Sequence, residues 1–90
     1  MTVNPRADAL AEKTGLELLA ADGLDSALLG YVERCGSPPC LVYDRAKCLE
    51  IFEKEFGDVE SAIEWFEFNV AGSFVGELTP FYFTGSDDDQ

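Results

Sequence analysis

The chain has 90 residues, 47% of them hydrophobic, with 18 acidic against 6 basic side chains, no histidine and a net charge of −12. That length gives one small domain, and the apolar and aromatic content is too high for a disordered chain in spite of the charge. The charge argues against direct nucleic-acid binding and against adsorption to anionic membranes, both of which draw on Lys and Arg.

The N-terminal stretch, residues 1–26, reads as an arm. Asn4 and Pro5 suit an N-cap and a first helical position, so a short polar helix reaching Thr14 competes with a mobile arm. Residues 16–21 (LELLAA) fit either a strand or a helical turn, and Asp22-Gly23 and Asp25-Ser26 mark a turn. Residues 27–35 and 40–44 then read as two strands joined through Gly36-Ser37-Pro38-Pro39, with pairing expected to begin at Cys40 because Pro39 has no N–H to donate.

Asp44 is placed to cap a helix from Arg45 to Phe56, whose Leu49, Phe52 and Phe56 share one face, and Gly57 is placed to end it. Asp58 can cap a second helix from Val59 to about Ser73, with Val59, Ile63, Phe66 and Val70 as its core stripe, widened by Ala62. Gly72 and Gly76 allow the chain to leave that helix, residues 79–84 (TPFYFT) read as a last strand, and residues 85–90 (GSDDDQ) as a disordered acidic tail. The fold class expected is α+β over residues 27–84: a small antiparallel sheet of three strands, or four with residues 16–21, covered by two helices in the order β-β-α-α-β.

Chemistry-bearing patterns are sparse. Without histidine the commonest general base and metal ligand is missing, no Ser-x-x-Lys pair replaces it, and Gly72-Ser-Phe-Val-Gly76 lacks the lysine of a phosphate-binding loop. The expectation is a non-enzyme with no cofactor and no metal. Cys35, Cys40 and Cys48 admit three readings: a zinc site completed by Asp44, a disulfide between Cys35 and Cys40 across the hairpin, or three small buried thiols. An odd cysteine count and an N-terminus without a basic-then-apolar leader suit a cytoplasmic protein, and no apolar run is long enough to span a membrane.

Residues 50–70 concentrate seven carboxylates, four phenylalanines and Trp65 beside a single basic residue, Lys54. Glu60, Glu64 and Glu67 form one line on the second helix, spaced by ~4.5–6 Å along its axis, with no lysine on that helix to compensate them. Trp65 and Phe68 lie beside the expected core stripe, either buried under the last strand or exposed as an interface. These five residues are the candidate partner-binding set. The partner they suit is a protein with a basic surface, engaged as an inhibitor that imitates nucleic acid in a basic groove. The alternative is a structural or regulatory module, self-associating as a homodimer, whose acidity reflects a salty cytoplasm.

Val42-Tyr43-Asp44 before a helix, EWFEFN at 64–69, and Gly76-Glu77-Leu78-Thr79-Pro80 together resemble an uncharacterised family of small acidic bacterial, archaeal and phage proteins. The likeness spans roughly residues 27–84. It implies an α+β domain often carried on phage or other mobile elements, and no activity or functional residues.

Overall fold

The computed structural model describes residues 4–72 and 76–85. Its elements are α1 (Pro5–Thr14), a 3-10 turn (Asp25–Ala27), β1 (Leu28–Arg34), β2 (Ser37–Asp44), α2 (Arg45–Phe56), α3 (Val59–Phe66) with a π-helical turn (Glu67–Ala71), and β3 (Phe81–Phe83). The class is α+β, with three helices and a three-stranded sheet in the order β1-β2-β3.

The sheet is mixed rather than antiparallel. β1 and β2 pair antiparallel, with Tyr31 opposite Leu41, but β3 runs parallel to β2, with Tyr82 opposite Tyr43. β2 passes directly into α2 and α3, and this helical crossover returns the chain to start β3 in the same direction as β2. A three-residue aromatic strand carries no mark of direction in its sequence. Residues 16–21 form no strand, so among the described residues the sheet has no fourth.

The hairpin turn is Cys35-Gly36, two residues earlier than the proline pair suggests. Gly36 supplies the left-handed conformation, φ 83°, that a two-residue reversal requires. Arg34 then pairs with Ser37, and the next pair is Val32 with Cys40, which leaves Pro38 and Pro39 opposite the single residue Glu33. The prolines therefore occupy a bulge, where a missing N–H costs no ladder bond.

α1 ends at Gly15, whose φ of 74° suits the left-handed cap. Its N-terminus is satisfied from a distance. Asn4 occupies the cap position but sends its Nδ2 to Asp22 Oδ1 at 2.8 Å, and makes no side-chain cap bond. The carboxylate of Asp25 replaces it, accepting the N–H groups of Arg6 at 2.8 Å and Ala7 at 3.0 Å. This clamp draws α1 into the core through Ala7, so the stretch read as an arm is packed from Asn4 onward.

The core lies between one face of the sheet and the helices. Leu28, Leu41 and Tyr43 project from the strands to meet Ala7, Leu24, Cys48 and Phe66. Tyr43 is fully buried, and its hydroxyl accepts the Ala21 N–H at 2.9 Å, pinning the irregular segment after α1. Its ring stacks on Tyr82 at 6.0 Å, and Phe66 meets Tyr82 edge-on at 5.2 Å. On the opposite face of the sheet Val32, Phe81 and Phe83 are exposed. The expected tail falls at residues 86–90 outside the described residues, as does Ser73.

Candidate functional site: the outer face of α3

Asp58 fixes the start of α3. Its Oδ1 accepts the Ser61 N–H at 2.7 Å and its Oδ2 the Ser61 hydroxyl at 2.8 Å, and these bonds hold its carboxyl below the usual carboxylate range. Asp44 caps α2 in the same manner, accepting the Ala46 N–H at 3.2 Å. Gly57, left-handed at φ 87°, separates the two helices and sets the corner between them.

The rotation of α3 follows from what it buries. Ala62 and Phe66 point into the core, one turn apart, with Val70 partly buried beyond them. Val59 and Ile63, expected in that stripe, are exposed instead. In so small a domain the buried line of this helix is narrow, Ala62 and Phe66, and Val59 and Ile63 fall on its exposed flanks.

With that rotation the line Glu60, Glu64, Glu67 lies opposite the core, and all three are exposed. They are not equivalent. Glu67 is held by Arg45, whose Nη2 lies 2.5 Å from Oε2 while its guanidinium sits 5.3 Å from the centroid of Phe66. Among the described residues this is the only ion pair. Glu60 and Glu64 have no cationic partner there.

Trp65 and Phe68 are both on the surface, 45% and 75% exposed. Trp65 leans on Phe56 of α2, with centroids 5.6 Å apart and planes inclined by 56°, and Phe56 stacks on Phe52. Phe56, Glu64, Trp65 and Phe68, with Ser61 and Asn69, line a surface notch of about 320 Å³. Asn69 Nδ2 donates to the Trp65 carbonyl at 3.3 Å, within the stretch where α3 widens into its π-helical turn. Such turns are rare and frequently lie at functional sites. Gly72 closes the turn, and a Cβ there would lie 2.7 Å from the Glu67 carbonyl oxygen.

Phe56 is the site residue that sequence reasoning missed. Its spacing with Leu49 and Phe52 marks the core face of α2, yet at the last position of that helix it is exposed and meets Trp65 instead. Its position next to Gly57-Asp58, at a helix–helix corner, was the available signal.

The cysteines converge on no common site. All three are free thiols; Cys35 is exposed at the hairpin turn, while Cys40 and Cys48 are buried. The Cys40 thiol faces the Glu77 carbonyl at 3.1 Å, and burial pushes the Cys48 thiol up to about 11. Among the described residues no group of three His, Cys, Asp or Glu side chains is arranged to hold a metal ion, and no helix is long and apolar enough to cross a membrane. A larger cleft of about 710 Å³ opens between the hairpin end and residues 76–81, lined by Val32, Pro38, Cys40, Pro80 and Phe81 among others. Its one basic side chain, Arg34, is bonded to the Ser37 hydroxyl at 3.0 Å.

Comparison of the chain with family models, with curated proteins and with solved structures gives no match.

Proposed function

We propose that this protein is a small non-enzymatic binding factor that presents the outer face of α3 to a basic groove on another protein, in the manner of an inhibitor occupying a nucleic-acid channel. A defence or nucleic-acid-processing enzyme encountered by a mobile element is the class of target that such a surface suits. The observation that carries the reading is the pairing of two unneutralised carboxylates, Glu60 and Glu64, with two exposed aromatics, Trp65 and Phe68, on one helix of a chain with net charge −12. The carboxylates and the overall field accelerate encounter with a cationic surface. The aromatics supply apolar area that becomes desolvated on contact, the usual composition of an interface anchor. Glu67 contributes less than the sequence suggests, because Arg45 already occupies it. The test is affinity capture at low salt from a host lysate, then affinity measured across salt concentrations with the captured protein. Binding to a nucleic-acid-binding protein that weakens steeply with salt supports the reading, and salt-insensitive binding removes its basis.

A second reading draws on the other face of the molecule. Val32, Phe81 and Phe83 lie exposed on one side of the sheet, and Leu29 protrudes from a bulge in β1. An open apolar sheet face next to a short edge strand suits self-association, and favours a homo-oligomeric module. Sedimentation at several concentrations separates the two: a stable dimer insensitive to Phe81→Ser counts against this face.

A further inference from the structure

We infer that the notch between α2 and α3 is a receptor for one arginine side chain of the partner protein, with Trp65, Phe68 and Phe56 taking the guanidinium plane and Glu64 taking its N–H groups. This rests on the binding reading above and names the chemistry the site would recognise. On the other flank of the same helical segment, Arg45 is bound by an aromatic and a carboxylate from successive residues: its guanidinium lies 5.3 Å from the Phe66 centroid and its Nη2 contacts Glu67. The notch brings together the same two residue types from the two preceding positions, in reversed order, Glu64 then Trp65, and adds Phe68 and Phe56 as further walls. No cationic side chain of this chain is among the residues lining it. Arg6 and Arg34 are bonded elsewhere, to the Asp25 carbonyl and the Ser37 hydroxyl. The notch therefore has the rings and the carboxylate of a cation site, and none of the residues lining it supplies the cation.

Arginine fits this better than lysine. A guanidinium is planar and weakly hydrated, so it can stack on an aromatic face while its N–H groups still reach a carboxylate, whereas an ammonium gives up more hydration to do the same. Tryptophan is the strongest of the aromatic partners for a cation. The free carboxylate and the strongly negative chain complete the charge complementarity.

The probe is tetra-arginine amide, titrated at low salt against the intact protein, with tetra-lysine amide as comparison. Trp65 is the only tryptophan, so its fluorescence reports the notch directly. A saturable change is expected, with tetra-lysine weaker by about 2- to 5-fold, the ratio that ~0.5–1 kcal/mol of preference for the stacked guanidinium gives. Glu64→Gln and Phe68→Ala should each weaken tetra-arginine by about 3- to 10-fold. Glu12→Gln on α1, which removes the same charge from a residue that does not line the notch, should change it less than about 2-fold. Both notch residues are exposed, so these variants keep the fold, which circular dichroism checks. Absence of a saturable change, equal affinity for the two peptides, or equal losses for Glu12→Gln and Glu64→Gln would each overturn the inference. The two readings also fail separately. If a captured basic partner loses affinity with Glu60→Gln but not with Phe68→Ala or Trp65→Leu, the arginine notch falls and the electrostatic face stands. If tetra-arginine binds as expected but no basic protein is captured, the notch stands and the proposed function falls.

Discussion

Replacing Asp25 by alanine tests the clamp that joins α1 to the rest of the molecule. Its carboxylate accepts two helix N-terminal amides, from Arg6 at 2.8 Å and from Ala7 at 3.0 Å. The two losses differ. The Arg6 amide is exposed and can turn to water, so its bond is worth about 1 kcal/mol, as for an ordinary cap. Ala7 is 3% exposed, and leaving its N–H without a partner costs a further ~1–2 kcal/mol. Loss of a negative charge at a helix N-terminus adds about 0.3–1 kcal/mol. Together the expected destabilisation is about 2–4 kcal/mol. With a urea m-value of ~1–1.5 kcal/mol/M for so small a domain, the unfolding midpoint should fall by about 1.5–4 M. Urea titration followed by circular dichroism measures it. Asp25→Asn, which keeps one acceptor oxygen and loses the charge, should cost about half as much. A midpoint shift below about 0.3 M for Asp25→Ala would refute the clamp and return residues 4–15 to the status of a loosely attached arm.

Two further perturbations probe the helical layer. Gly72→Ala should destabilise by about 1–3 kcal/mol, because the new methyl would lie 2.7 Å from the Glu67 carbonyl; a gain in thermal stability, as alanine gives in an open helix, would contradict the close turn. The buried thiol predicts alkaline lability: Cys48 is raised to about 11 from 9.0, and Tyr82 to about 12 from 10.0, by burial. A folded-state value above the unfolded one means the stabilisation is complete below about pH 9 and drains away as pH rises through 11, by about 2–3 kcal/mol for Cys48. Melting profiles from pH 8 to 11 check this, and Cys48→Val should flatten the decline over that interval; an unchanged slope would assign it to other groups.

How much of this was legible in the sequence depended on whether a feature is encoded locally. Both ends of α2 were readable because Asp44 and Gly57 act within one turn of the backbone, and the start of α3 was readable from Asp58 for the same reason. The start of α1 was readable from Pro5, although a helix to Thr14 competed there with a mobile arm, and its cap was not readable. Asp25 reaches it only through tertiary structure, and Asn4, the local candidate, is drawn off by Asp22. The direction of β3 is set by the crossover that precedes it, which three aromatic residues cannot encode. The prolines of β2 misplaced the turn because they mark a bulge as readily as a loop. In the candidate site, the alignment of Glu60, Glu64 and Glu67 was a matter of helical period and could be read directly. The capture of Glu67 by Arg45, 22 residues away, and the exposure of Phe56, Val59 and Ile63 depend on tertiary packing, which periodicity does not report.

The most direct measurement of the central claim is competition between this protein and duplex DNA for the captured basic partner, comparing wild type with Glu60→Gln/Glu64→Gln and with Glu67→Gln. Wild type should displace the DNA. The double variant should lose at least about tenfold in competing strength at low salt, in keeping with ~1.4 kcal/mol of lost charge pairing and a shallower salt dependence. Glu67→Gln should lose less, its carboxylate being committed to Arg45. Equal competition by all three proteins, or co-binding of DNA and wild type to the same partner, would contradict the claim that α3 stands in for a phosphate backbone.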